Sequence, residues 1–164
     1  MNHRENYRYY VHLLSRRPYA YAHVIGDQFH PNLHGTVRFF NTPSGLMIAA
    51  DLSGLPQNEG HCGRTFLGFH IHEGNSCQSE GDEYFGATLG HYNPYGCPHP
   101  HHAGDLPPLL VANGHAFAVT LKEGVSVEEI IGRTIVIHSD FDDFQTQPSG
   151  NAGTKIGCGI IKKY

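Results

Sequence analysis

The 164-residue sequence predicts one all-β domain, a sandwich or barrel, and three observations carry that prediction. Short β-type runs recur from residue 19 onward, each bounded by Gly, Asn or Pro, the pattern of many short strands joined by tight turns. Gly and Pro together number 30 residues, enough for many turns but short of low complexity, with 20 Gly and 10 Pro. The length suits a single domain with a sizeable core, and no repeat, linker or second domain is legible.

Taken in order, residues 1–17 form an N-terminal arm or short helix, polar and aromatic, ending in two arginines before Pro18. Residues 18–164 form the β domain. Its strand-like runs are 19–25, 33–41, 45–53, 65–72, 115–122, 133–139 and 155–162. In the second run Val37 and Phe39 alternate with Thr36 and Arg38, as in a strand with one buried and one wet face. Residues 41–45, Asn-Thr-Pro-Ser-Gly, read as a hairpin turn. Residues 126–131 look helical, with Ser126 as N-cap and Glu128 and Glu129 in the first turn. Between residues 73 and 114 no strand run is legible, so this stretch reads as a long functional loop, and 140–153 as a second.

Charge and composition exclude several roles. Lys and Arg total 11 against 15 Asp and Glu, a formal charge of −4, the wrong sign for a nucleic-acid partner. No apolar run approaches the ~20 residues that cross a bilayer, so no membrane partner is expected. The first residues lack the apolar core of a secretory signal, which points to a cytoplasmic protein with reduced thiols, an expectation in tension with any disulfide. Histidine is the anomaly, at 14 residues, and metal explains it better than phosphate does.

His70 and His72 occupy alternate positions of one strand run and therefore share a face, two imidazoles side by side. His91, His99, His102 and Asp105 in the long loop supply three nitrogens and one hard oxygen, a donor set suited to tetrahedral zinc. His138 ends another run and can bring an imidazole to the same place.

At this point the sequence resembles the copper/zinc superoxide dismutases. The matching pieces are GFHIHEG at 68–74, GHYNP at 90–94, HAGDL at 102–106, IGRTIVIH at 131–138 and GNAGTKIGCGI at 150–160, in the family's order. The resemblance implies a Greek-key β-barrel of about eight antiparallel strands and the dismutation of superoxide to dioxygen and hydrogen peroxide. It assigns copper to His70, His72, His91 and His138, and zinc to His91, His99, His102 and Asp105. His91 then bridges the two metals and relays a proton. It makes Asp142 the carboxylate that orients one ligand of each metal, in competition with Asp140 and Asp143. His101 competes with its neighbours His99 and His102, while His61 and His115 match nothing in the motif. It pairs Cys77 with Cys158. Cys62 and Cys97 fall outside that pattern and are either a second disulfide or two buried thiols.

The sequence also departs from the family, as a divergent bacterial-type member would. Lys155 stands where the family places an arginine near copper, so the cation that guides the anion is kept but its two-donor fork is lost. The His99–His102 interval is short, and residues 141–149 contain no lysine, which thins the usual basic funnel. Two rival readings follow: a non-catalytic protein that stores or delivers copper or zinc on the same fold, and a cupin-type metal enzyme. The cupin reading wants a Glu a few residues beyond the H-x-H pair, whereas Glu73 is adjacent to it. A homodimer is open, and no apolar face legible in the sequence marks an interface.

Overall fold

The computed structural model describes residues 3–57 and 65–164. Among them are ten strands: β1 (Ala20–Gly26), β2 (His34–Thr42), β3 (Gly45–Ser53), β4 (Thr65–Leu67), β5 (Phe69–His72), β6 (Leu109–Val111), β7 (His115–Lys122), β8 (Thr134–His138), β9 (Lys155–Ile160) and β10 (Lys162–Lys163). Two α-helices accompany them, α1 (His3–Leu14) and α2 (Val127–Ile130). No helix among the described residues is long and apolar enough to cross a membrane.

All pairing is antiparallel. One curled sheet runs β5-β8-β9-β1-β2-β3-β7, with β10 added beside β1, and β4 and β6 form a separate pair. The two sheets are joined at both ends of the path. Only Gly68 separates β4 from β5, and the Ala112–His115 bridge links the chain after β6 to β7. This is the half-barrel geometry of a curled antiparallel sheet.

Period-two alternation places the core inside the curl. Ala20, Ala22 and Val24 of β1 face inward, opposite Phe39 and Val37 of β2, which in turn pair with Ile48 and Ala50 of β3. Ile135 and Ile137 of β8 and Ile156 of β9 complete this interior. The β2–β3 turn is a two-residue loop closed at Thr42–Gly45, where the Thr42 hydroxyl donates to the Gly45 carbonyl at 2.7 Å. Gly45 has φ 113°, a region open to glycine. At α2, Ser126 accepts from the Glu129 amide and the Glu129 carboxylate accepts from the Ser126 amide at 2.7 Å, a complete capping box.

The structure differs from the sequence reading in three places. The run 65–72 is broken at Gly68, whose amide donates to Asp140 and whose carbonyl accepts from His138. The stretch between 73 and 114 contains β6, three residues following Pro107 and Pro108 and too short to show a pattern. Phe40, on the outward face of β2, is buried with Met47 and Ala49 because α1 lays Tyr10, Leu13 and Leu14 over them. Among the described residues nothing lies over the outer side of β7, β6 and β4 in this way, and Phe117, Val119, Leu121, Leu110 and Phe66 are exposed.

Candidate metal centre

Two strands and one loop deliver the clustered side chains. His70 and His72 come from β5, which is buried on both faces. His138 ends β8, where pairing with β9 slips by one residue between Ile137 and His138. Such a bulge turns the side chain away from the regular alternation. His91, His99, His102 and Asp105 lie on the loop between β5 and β6. That loop is tied to β5 by backbone bonds: Ile71 donates to Gly104, Tyr92 donates to Ile71, and Gly104 donates to Tyr92, all at 2.8–2.9 Å. Lys122 of β7 clamps the same loop, donating to the carbonyls of His102 and Asp105 at 3.1 Å. Burial holds the Lys122 pKa down, against the pull of Asp105.

The side chains fall into two sets that share one residue. His70, His72, His91 and His138 offer donor atoms within 4.8 Å of one another, and so do His91, His99, His102 and Asp105. All seven residues are buried. In the first set the remote nitrogens are held by protein groups. His70 Nε2 donates to Asp142 Oδ2 at 2.7 Å, and His72 Nδ1 donates to the Leu89 carbonyl at 2.9 Å. Those bonds fix tautomers that leave His70 Nδ1 and His72 Nε2 with free lone pairs. His70 Nδ1 and His91 Nε2 are buried with no hydrogen-bond partner, and His72 Nε2 faces His138 Nε2 at 3.2 Å. Unpaired buried nitrogens aimed at one point are costly unless a cation joins them.

The second set gathers on Asp105. Its Oδ1 lies 2.7 Å from His91 Nδ1 and 3.2 Å from His102 Nδ1, and its Oδ2 lies 3.1 Å from His99 Nδ1. His99 Nδ1 makes no hydrogen bond. Three imidazole nitrogens and one carboxylate oxygen fit zinc, and a cluster of imidazoles alone fits copper.

Asp142 joins the sets from behind. It accepts from His70 through Oδ2 and from His99 through Oδ1, at 2.7 and 2.8 Å, while the Phe144 amide also donates to Oδ1 at 2.8 Å. Asp140 is exposed, and Asp143 is engaged with Thr146. Likewise His101 is exposed beside the buried His102.

The environment keeps His70, His72 and His138 neutral. Burial lowers the pKa of His70 to about 4, the Asp142 bond opposing and the His91 charge adding to it. His138 is lowered to about 3 by burial, then by His70 and His91. His72 is also held well below its usual range, by burial and then by His138 and His91. Burial works to raise Asp142 and Asp105, but donated hydrogen bonds, from His70 and His91 respectively, bring both below the ordinary carboxylate value.

A profile of the copper/zinc superoxide dismutases matches residues 33–161, the span that holds all seven of these residues. The chain belongs to the copper/zinc superoxide dismutase family. It is 37% identical over 158 residues to superoxide dismutase [Cu-Zn] 2 of Aquifex aeolicus, covering 87% of this chain and 86% of the relative. It is 33% identical over 147 residues to the Deinococcus radiodurans superoxide dismutase [Cu-Zn], covering 78% and 76%. The Brucella abortus Cu/Zn superoxide dismutase structure superposes with a TM-score of 0.72 at 26% identity, over 86% of this chain and 98% of that one. A superoxide dismutase-like protein of Bacillus subtilis gives 0.68 at 30% identity, over 85% and 95%. Copper and zinc are the metals that membership of the copper/zinc superoxide dismutases implies, and the two donor sets fit them.

Other residues of this copper/zinc superoxide dismutase fall as follows. Cys77 and Cys158 form a disulfide that ties the β5–β6 loop to β9. Cys97 is a half-buried free thiol whose backbone is bracketed by the Asn93 side chain at 2.9 and 3.0 Å. His61 and Cys62 lie outside the described residues. His115 is exposed and packs its ring nitrogen 3.0 Å from the Ser53 hydroxyl. Lys155 begins β9, and it lines a cavity of about 1100 Å³ together with His72, His91 and His138. There its ammonium meets Glu83 at 2.8 Å. Sequence reasoning missed Glu83, Lys122 and Gly150. No local motif marks the first two. Gly150 has φ 67°, and a Cβ on it would collide with the Asp142 carboxylate and sit 2.7 Å from His99 Nε2.

Proposed function

We propose that the protein dismutes superoxide: two superoxide anions and two protons give dioxygen and hydrogen peroxide. The observation that carries this reading is His91. It belongs to both donor sets, with Nε2 directed to one and Nδ1 to the other. A storage or delivery protein has no use for a shared imidazole between two unlike sites.

Copper held by His70, His72, His91 and His138 would supply one-electron chemistry, and zinc held by His91, His99, His102 and Asp105 a fixed charge. The chain supplies the rest. Asp142 and the Leu89 carbonyl hold the imidazoles in the tautomers that expose lone pairs inward. His91, with nitrogens on both sides, can take a proton at Nε2 and deliver it to departing peroxide. Lys155, on the cavity wall, is the cation that draws and orients a small anion. Burial of His70, His72 and His138 keeps those three neutral and available down to mildly acid pH.

The exposed row of Phe66, Leu110, Phe117, Val119 and Leu121 supports a second copy of the chain as partner, since apolar patches of this kind mark interfaces. The function is tested by measuring metal content and superoxide consumption side by side, in wild type and His91→Ala. Wild type with one copper and one zinc should be active, and the variant inactive. A fully loaded wild type without activity refutes dismutation and leaves metal storage.

A further inference from the structure

The mouth of the cavity carries more acid than base. Asp27, Glu73, Asp82 and Glu83 line it, against Lys155 and His30. Among these groups Glu83 has a distinct place, because its Oε1 sits 2.8 Å from Lys155 Nζ. The Lys155 side chain is then only 11% exposed, while Glu83 is 63% exposed and faces the opening. The cation on the cavity wall is thus covered from the solvent side by a carboxylate of the same chain.

Backbone bonds fix that carboxylate's origin. Glu83 and Glu80 exchange two backbone hydrogen bonds at 3.0 Å, and the Glu83 carbonyl accepts from Gly86 at 3.2 Å. The next residue, Tyr84, receives a hydrogen bond from Gln28 and packs edge-on against Phe29 with ring centres 5.5 Å apart. A tight turn, braced against a second loop, therefore presents Glu83 to Lys155. The side chain's position does not depend on a long flexible segment.

We infer that Glu83 masks the anion guide: its carboxylate occupies Lys155 in the resting protein, and an incoming anion must displace it. Glu83 is then a specificity-determining residue that slows anion entry, and it acts through Lys155. This rests on the reading of Lys155 as the guide, given above. The physical reason is that the carboxylate and superoxide carry the same charge and compete for one ammonium. Lys has three rotatable donors on a point charge, so it can exchange partners without a fixed geometry. A masked guide also explains how a chain of net charge −4 differs from a steered enzyme. The formal charge of the chain gives an anion little long-range help, and Lys155, on the cavity wall, is already paired.

The test compares wild type, Glu83→Gln, Asp82→Asn and Lys155→Met, each alone, with Lys155→Met/Glu83→Gln, all as metal-loaded protein. Asp82→Asn makes the same change in net charge on the same turn without touching Lys155. Two readouts are taken: azide affinity from the visible absorption of the copper form, and superoxide consumption at low and high salt. Glu83→Gln should bind azide about 10-fold more tightly and react about 10-fold faster at low salt. It should also gain a decline with added salt that wild type lacks, since an unmasked cation is screened over ~10 Å at 0.1 M. Asp82→Asn should change either quantity by less than about 2-fold, being exposed and screened. In the Lys155→Met background Glu83→Gln should add nothing. Equal azide affinity in wild type and Glu83→Gln, or equal gains in Glu83→Gln and Asp82→Asn, would overturn the masking. If the protein consumes no superoxide, the azide readout still decides the masking, so the two readings fail separately.

Discussion

Replacing Asp142 by Asn should weaken copper binding selectively, and the structure says why. The Asp142 Oδ1 accepts two hydrogen bonds, from His99 Nε2 and the Phe144 amide, both at 2.8 Å, whereas Oδ2 accepts one, from His70 Nε2 at 2.7 Å. An Asn carbonyl oxygen can replace only one carboxylate oxygen. It will take the Oδ1 place, where two donors await it, and turn its NH₂ toward His70. Two N–H groups then oppose each other in a buried pocket. His70 escapes by moving its proton to Nδ1, the atom that must face copper. Loss of a charge-assisted bond costs about 1.5–3 kcal/mol, and such supporting residues change metal affinity about 10- to 100-fold. We therefore expect copper affinity to fall about 10- to 100-fold and zinc affinity to change by less than about 3-fold. Chelator competition, run separately for each metal, measures both. Gly150→Ala is the contrast: its new Cβ displaces the whole carboxylate, so both affinities should fall. If Asp142→Asn loses zinc as strongly as copper, or keeps copper unchanged, the tautomer argument is wrong.

Three further outcomes are expected. His138→Ala should lose copper and keep zinc, because His138 belongs to the first donor set alone; Asp105→Ala should lose zinc first, and metal analysis of the purified variants checks both. Reducing Cys77–Cys158 opens a loop with a sequence separation of 81 and should cost about 4 kcal/mol, seen as a lower urea midpoint; a shift below about 1 kcal/mol contradicts it. The metal-free protein should lose stability as pH falls from 6.5 toward 4, since unfolded histidines gain protons there while His70, held at about 4, and His138, at about 3, do not. Each such group removes about 1.4 kcal/mol per pH unit. Asp105 and Asp142, both depressed, lose their stabilising effect only below the ordinary carboxylate range and do not oppose the trend in this window. A urea midpoint equal at pH 6.5 and pH 5 would refute this.

The pairing of His70 with His72 was legible in the sequence because the strand period decides it: both must share a face of β5. Ser126 was likewise readable as an N-cap with Glu128 and Glu129 in the first turn, while its reciprocal bond with Glu129 appears only in the structure. Loop residues were less so. His102 and His101 are equivalent in sequence, and only the turn closed by the His102 amide on Asp105 buries one and exposes the other. The Lys155–Glu83 pair joins β9 to a turn 72 positions earlier, by 155 − 83, and no periodicity reports such a contact. The exposed face of β7, β6 and β4 escaped notice for the same reason, since Phe66 and Phe117 become neighbours only through β6.

Ile71 donates to Gly104 and accepts from Tyr92, so β5 and the loop carrying His91, His99, His102 and Asp105 are tied together through the backbone. The donor atoms are therefore spaced by the backbone before any ion arrives. Little of the free energy of ion capture goes into ordering the loop, and most of it appears as affinity. A rigid cage of this sort also discriminates between ions: one that prefers six ligands, or a wider spacing, cannot draw the nitrogens to itself. Loosening the Ile71 contacts should thus show up first as admission of the wrong metals rather than as loss of the right ones.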